Sequence, residues 1–285
     1  MLSARLKITA YERRHRSALL DLAWYSQWAH KHLDWHTTSQ WLGDGLGSVM
    51  LAWHGDQLIG YIGISLPVKG WSWIRLLGIR DGRMPGFVVR ELVEAAEARC
   101  APLGIKNLLI LMITNWLPAY LSELGFQIDE DVITMSHIGS ALPPKPTVAA
   151  RIRAAEAQDV TNMALIDHLA FEPPWQLTEY DMRQALRIAA SATVALLDDE
   201  LIAYQLSTRQ DEVGHIARLA VHPAYRRGRI ASAVMRQVAA DFLSRNLTNL
   251  SVNTQKSNLP AQRLYEGFGF FRNGNDIELW RKQLN

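Results

Sequence analysis

The chain repeats itself, and this constrains its fold more than any other feature. "GDQLIGYIGIS" (55–65) resembles "DDELIAYQLST" (198–208). "LLGIRDGRMPGFVVREL" (76–92) lies over "RLAVHPAYRRGRIASAV" (218–234), and "YLSELGFQIDEDVITM" (120–135) lies over "LYEGFGFFRNGNDIEL" (264–279). The three pairs keep their order at a spacing of about 143 residues, too long for a solenoid and about the size of a domain. Between the copies, "GSALPPKPTVAA" (139–150) is rich in proline and small residues and reads as a linker. We therefore expect one domain over 1–138, a linker at 139–147 and a second domain over 148–285.

Composition narrows the class. Apolar residues make up 48% of the 285 and charged residues 20%, the balance of a globular chain with a sizeable core. A net charge of +2 argues against a general nucleic-acid binder but not against a local basic pocket. One cysteine, Cys100, allows no internal disulfide. The start, "MLSARLKITAYERRHR", is polar and basic with no apolar core after it, and no run reaches the length of a membrane span. The expected compartment is the cytoplasm, with no membrane partner.

The second copy reads as alternating strands and helices. "VAARIRAA" (148–155) alternates like a strand, and Asp159 can cap a helix running to about Phe171. A broken stretch, "FEPPWQ" (171–176), precedes a helical segment near Tyr180 to Ile188. "TVALLDDELIAYQLST" (193–208) reads as a hairpin turning at Asp198-Asp199, and "GHIARLAV" (214–221) as a strand. Ile230, Val234, Val238 and Phe242 recur every four residues on one helix face. "NLSVNT" (249–254) is a strand, "NLPAQRLYEGFGF" (258–270) a short helix capped by Asn258, and "DIELWRK" (276–282) a strand that closes the domain.

Between strand and helix sits "HPAYRRGRIASAVM" (222–235), with three arginines and a glycine in four positions. A helix N-terminus already carries partial positive charge and unpaired N–H groups. Cations added there are unfavourable unless an anion lies on top. A strand, a basic glycine-containing turn and a helix together suit a phosphate or pyrophosphate. An ordinary turn with solvated arginines is the alternative.

The second copy, residues 148–283, resembles the GNAT family of N-acetyltransferases. The family pattern Arg/Gln-x-x-Gly-x-Gly/Ala falls on Arg226, Arg227, Gly228, Arg229, Ile230 and Ala231, although Arg229 stands where the first glycine is usual and Gly228 comes one position early. "LAVHPAYR" before the loop and the run Asn258, Ala261, Leu264, Tyr265, Phe268, Gly269, Phe270 after it complete the likeness. "AFEPPW" (170–175) and "GHIARLAV" are similar to the branch that acetylates protein N-terminal amines. The resemblance implies an α/β fold of two tandem domains, each a twisted, mixed, largely antiparallel sheet flanked by helices. It implies acetyl-CoA as co-substrate, no metal, and an amine acceptor on a small molecule or a protein N-terminus. It implies that Leu219, Ala220 and Val221 offer backbone groups to the pantetheine amides, that residues 226–231 hold the pyrophosphate, that Asn258 and Ala261 lie by the pantetheine arm, and that Tyr265 protonates the leaving thiolate. Packing alone is the alternative for Tyr265.

The base is less clear by resemblance. One family position falls on Asn253, which cannot take a proton; another falls on His215. Strand alternation would put His215, Ala217, Leu219 and Val221 on one face, so that His215 lines the cleft. A histidine paired on the sheet is the alternative, and Glu212 and Glu172 are fallback bases. In the first copy Met84, Pro85, Gly86 and Phe87 replace the arginine run, Leu121 replaces Tyr265 and Thr114 replaces Asn258. That copy reads as degenerate, with the fold kept and the phosphate site lost. Its "WYSQWAHKHLDWHTTSQW" (24–41) gathers four tryptophans with His30, His32 and His36. A metal site, an exposed aromatic surface and a recognition face for a regulatory module are the readings open there. Trp71 and Trp73 alternate with polar residues like a half-buried strand.

Overall fold

The computed structural model describes residues 6–284. In chain order the elements are β1 (Lys7–Ala10), α1 (Arg16–Tyr25), β2 (Trp28–Lys31), α2 (Thr38–Gly43), β3 (Gly47–His54), β4 (Gln57–Ser65), β5 (Trp71–Ile79), α3 (Pro85–Cys100), β6 (Asn107–Leu111), α4 (Pro118–Glu123) and β7 (Gln127–Ile138). There follow β8 (Arg151–Ala154), α5 (Val160–Ala170), α6 (Glu179–Ile188), β9 (Ser191–Leu197), β10 (Glu200–Gln210), β11 (Val213–Val221), α7 (Ile230–Ser244), β12 (Asn249–Gln255), α8 (Leu259–Glu266), β13 (Phe271–Arg272) and β14 (Ile277–Gln283). Among the described residues no helix is long and apolar enough to cross a membrane.

The chain forms two compact units, one of residues up to Glu130 together with Glu278 onward, the other Asp131–Ile277. The boundaries differ from those expected from composition. Strand β14 does not close the second domain; Leu279 pairs with Leu111 of β6, and Trp280 packs into the first unit's core. In turn β7 lies beside β12 in the second unit, with Asn249 opposite Ile138. Residues 139–147 are not a detached tether, because Leu142 packs on the second unit's core and the Pro143 carbonyl accepts from Arg236.

The first unit's sheet runs β1-β3-β4-β5-β6-β14, antiparallel except for β5–β6. Helix α3 buries Val89, Leu92 and Val93 against one face, and Leu19, Leu22 and Trp41 cover the other. The second unit repeats this plan as β7-β12-β11-β10-β9-β8, with β11–β12 its parallel pair. Here α7 buries Val234, Val238 and Phe242, the stripe expected from four-residue spacing, and each such side chain contributes about 1.5–3 kcal/mol. The β9–β10 hairpin turns through Asp198 and Asp199, both at positive φ, as a tight two-residue turn demands. One cap differs from expectation. The Asp159 carboxylate accepts from Glu156 N and pairs with Arg153, serving the turn before α5 instead of the helix itself.

Candidate functional site

The second unit's sheet opens at one point. Parallel β11 and β12 pair only from Val213–Asn249 to Ile216–Val252 and then part. Strand β10 follows β11 all the way to Val221, but its register slips beside Ala217, which is an extra, bulged residue. From Ala217 to Val221 no strand among the described residues takes the edge that β12 leaves. The backbone groups pointing to that side are open to a ligand. Leu219 joins the apolar clusters under α7, and Ala220 is buried on the opposite face.

The bulge corrects one expectation. It resets the alternation, so Leu219 shares its face with Ile216 in the α7 core, while His215 faces the α5 side with Arg218. His215 therefore does not lie on the face of Leu219. It stands one residue before the strands part, and its Nδ1 lies 2.9 Å from Ser251 Oγ across the pair. Burial pushes its pKa below the usual histidine value, so the ring is neutral near pH 7 and able to accept a proton.

After Val221 the chain turns through Pro223–Tyr225, tied by Tyr225 Oη to Glu200 at 2.8 Å and by Ala224 N to His222 Nδ1 at 3.2 Å. Arg227 and Arg229 then take left-handed backbone, φ 67° and 61°, whereas Gly228 does not. The loop thus demands a glycine-like conformation at both arginines and not at the glycine, where an added Cβ would meet only ordinary contacts. This explains how the shifted glycine leaves the loop intact. Among the described residues, no amide from Arg227 to Ser232 has a backbone acceptor; the first bond of α7 is Ala233 N to Arg229 O. Arg226 reaches the Ala170 carbonyl at 3.3 Å, and no partner binds the Arg227 or Arg229 side chain among the described residues. A row of unpaired amides, a helix N-terminus and exposed guanidinium groups form an arrangement that suits an anion.

On the far side of the opening, Asn258 caps α8 as expected, its Oδ1 accepting from Ala261 N at 3.3 Å. Tyr265 is 6% exposed and packs in the same apolar cluster as Leu219 and Ala261, against Phe270. Its hydroxyl makes no hydrogen bond among the described residues, and burial pushes its pKa up to about 12. Asn253 is exposed, and Glu212 pairs with Arg209 at the hairpin tip, at the end of β11 remote from the arginine loop.

Sequence reasoning missed the group beneath the opening. Arg218, next to the bulge, donates Nε to Asp167 Oδ2 at 2.7 Å and Nη2 to the Trp175 carbonyl, and its guanidinium lies 3.7 Å over the Phe171 ring. Tyr204 donates to the same carboxylate, and Leu177 N to its other oxygen. A fully buried aspartate on a helix was the only available signal, and burial is invisible before folding.

The first unit shows the same opening closed. Strand β5 leaves β6 after Trp73 and bulges at Arg75, but its edge is then taken by β2, with Trp28 opposite Ile79 and Lys31 opposite Leu76. Pro85 begins α3, Pro85 brings no N–H, and Tyr120 lies against Gly86. Leu121 is core, and the Thr114 hydroxyl is buried without a partner among the described residues. The tryptophan-rich stretch is not an exposed aromatic face: Trp35 and Trp41 are buried, Trp28 packs on Trp116, and of that stretch Trp24 and Tyr25 project strongly. Its histidines part company too. His30 is fully buried, and His32 pairs with Asp34 at 2.8 Å. Among the described residues no group of three or more such side chains is placed to hold a metal. Trp73 is buried core, and Trp71 is half-buried.

A doubled sheet, each copy splitting one parallel pair beside a strand–turn–helix, is the tandem form of the acetyltransferase fold. Solved structures share it over the whole chain. One is a GCN5-related N-acetyltransferase from Sphaerobacter thermophilus, with TM-score 0.63 and 15% identity over 100% of this chain and 98% of that one. Another is a tandem GNAT protein from the clavulanic acid biosynthesis pathway, with TM-score 0.67 and 13% identity over 99% of each. Residues 160–270, within the second unit, match the model of the Acetyltransferase (GNAT) family. A mycothiol acetyltransferase from Brachybacterium faecium is 28% identical over 56% of this chain and 54% of its own length, so this chain spans about half of that relative.

Proposed function

We propose that the second unit is an N-acetyltransferase that moves an acetyl group from acetyl-CoA to a primary amine, and that the first unit is a copy that has lost its coenzyme site. One arrangement carries the reading. An open strand edge, Ala217–Val221, runs into the unpaired amides of Arg227–Ser232 with three arginines around them. An extended chain of amides ending in phosphates matches both parts. The family match over 160–270 and the acetyltransferase relative support the same chemistry.

In this reading Leu219, Ala220 and Val221 pair through their backbone with the pantetheine amides. Arg226, Arg227, Gly228, Arg229, Ile230 and Ala231 seat the pyrophosphate, and Asn258 and Ala261 flank the arm. The acceptor amine must be neutral to attack the thioester carbonyl. His215, held by Ser251, takes the proton from the incoming ammonium. The nitrogen then forms the amide bond, the C–S bond breaks, and one proton passes from nitrogen to sulfur. In this reading Tyr265 also serves the sulfur, and its raised pKa limits how. A thiol titrates near about 8.5, so outright transfer from a phenol at about 12 is uphill by roughly 3.5 units, about 5 kcal/mol. Tyr265 therefore acts by holding a hydrogen bond to the departing sulfur, a preorganised donor that stays protonated at every working pH.

Release of free thiol from acetyl-CoA in the presence of a panel of primary amines tests the activity. Amine-dependent release by the wild-type protein is expected. Binding without amine-dependent release for any member, small molecule or peptide N-terminus, would point to a non-catalytic module instead.

A further inference from the structure

We propose that Asp167, Tyr204 and Arg218 form a positioning unit that keeps the edge of β11 open for the coenzyme; the proposal rests on the reading of the second unit as a coenzyme site. The two units carry the same split sheet with opposite outcomes. In the first, the bulged residue is itself an arginine, Arg75, and it is tied to the segment that follows α1. Its Nη1 donates to His32 Nδ1 and Asp34 Oδ2, each at 3.0 Å, and the next strand along the edge is β2. The residue after that bulge is Leu76, whose side chain is buried in an apolar cluster with Tyr61.

In the second unit the arginine is displaced by one position. Ala217 is the bulged residue and Arg218 follows it, opposite Leu206 and beside Tyr204 on the α5 face. Its partner is a carboxylate from the helix, Asp167, which is fully buried, and not one from the connecting segment. Burial holds the Tyr204 phenol well above its ordinary value, so Tyr204 keeps its proton and donates it to that carboxylate. Arg218 then fixes the connecting segment through the Trp175 carbonyl and the Phe171 ring, while Asp167 holds Leu177 N. Gln176 adds bonds from its Nε2 to the His168 and Phe171 carbonyls. The segment 171–177 is thus bound down against α5 at both ends, and its prolines 173 and 174 have no N–H to pair with a strand. The same guanidinium holds β11 toward α5 immediately after the bulge, where it leaves β12. One cluster therefore sets both the bulge and the clearance of the edge.

A buried ion pair is a costly way to stabilise a core, and replacing both charges with apolar groups of similar size is often neutral for stability. That separates positioning from folding. The double variant Asp167→Leu/Arg218→Met removes both charges together and is expected to fold, with an unfolding midpoint lowered by the Tyr204 hydroxyl, the Leu177 N–H and the Trp175 carbonyl that lose their partners. Its acetyl-CoA Kd, read by titration calorimetry, should rise about tenfold or more. Tyr204→Phe keeps both charges and loses one donor; its Kd should rise by roughly threefold. With an amine that the wild type acetylates, both variants should show a higher KM for acetyl-CoA and a kcat retained within about twofold, whereas simple loss of folded protein would lower kcat and leave KM alone. A folded double variant, or a folded Tyr204→Phe, that binds acetyl-CoA as tightly as wild type would overturn the proposal and leave the prolines of segment 171–177 as the cause of the open edge. Failure of the wild-type protein to bind acetyl-CoA at all would instead overturn the reading of the site beneath it.

Discussion

Acid should weaken the first unit through one histidine. His30 lies on β2, fully buried, and among the described residues neither ring nitrogen has a partner at hydrogen-bond geometry. Burial, with His32 and Arg75 adding to it, pushes its pKa down to about 3, against a small opposing pull from the Ile74 backbone. The unfolded chain binds that proton near about 6.5, so between these values the unfolded state holds more protons and stability falls as pH falls. Going from about pH 7 to about pH 5, this one group removes about 2 kcal/mol, and a further step to about pH 4 brings the loss to about 3 kcal/mol. Every tryptophan except Trp175 belongs to the first unit, so tryptophan fluorescence during urea unfolding reports on it selectively. His30→Leu removes the titrating group and keeps an apolar side chain in the site. The wild-type unfolding free energy should fall with acid by about 2 kcal/mol to about pH 5 and about 3 kcal/mol to about pH 4 more than the variant's does. Parallel pH dependence in the two proteins would show that His30 is not buried neutral and that β2 does not sit where the structure puts it.

The remaining expectations concern the second unit. Replacing Arg226 and Arg227 by alanine should weaken acetyl-CoA by about 1.5–3 kcal/mol per charged hydrogen bond lost, and leave a phosphate-free pantetheine fragment almost unaffected; equal losses for both ligands in calorimetry would place the arginines away from phosphate. Arg229→Gly should leave thermal stability unchanged or raise it by up to about 1 kcal/mol, because the position is left-handed, whereas Arg229→Ala keeps the strain; a Gly variant less stable than the Ala variant would contradict that backbone. Tyr265→Phe should lower kcat about a hundredfold to a thousandfold with little change in acetyl-CoA Kd, and unchanged turnover would leave Tyr265 as a packing residue. In the wild type, kcat/KM should rise with pH through an ionisation below the usual histidine value, and His215→Ala should abolish that step; a mutant with the wild-type profile sends the proton by another route.

Much of this fold was readable because its signals are local. The four-residue stripe on α7, the Asp198-Asp199 turn and the Asn258 cap each depend on neighbours within a few positions. The arginine turn was readable for the same reason, since charge at a helix start is itself the anomaly. What stayed hidden depends on distant partners. "WAHK" became a strand only because β5 left an edge for it, and four residues carry no periodicity of their own. The bulge at Ala217 leaves the spelling of "GHIARLAV" unchanged while it moves His215 to the other face from Leu219. The placement of β14 beside β6 follows from pairing across the length of the chain. Asp167 looks like any polar residue on a helix until Arg218 and Tyr204 close on it.

The count and place of coenzyme sites bear on the account most directly. Calorimetric titration with acetyl-CoA, followed by amide hydrogen exchange of the complex, measures both. One molecule should bind per chain, with new protection at Leu219–Val221 and Arg227–Ser232 and none along Leu76–Ile79, whose edge β2 already fills. Two equivalent sites, or protection confined to the first unit, would contradict it.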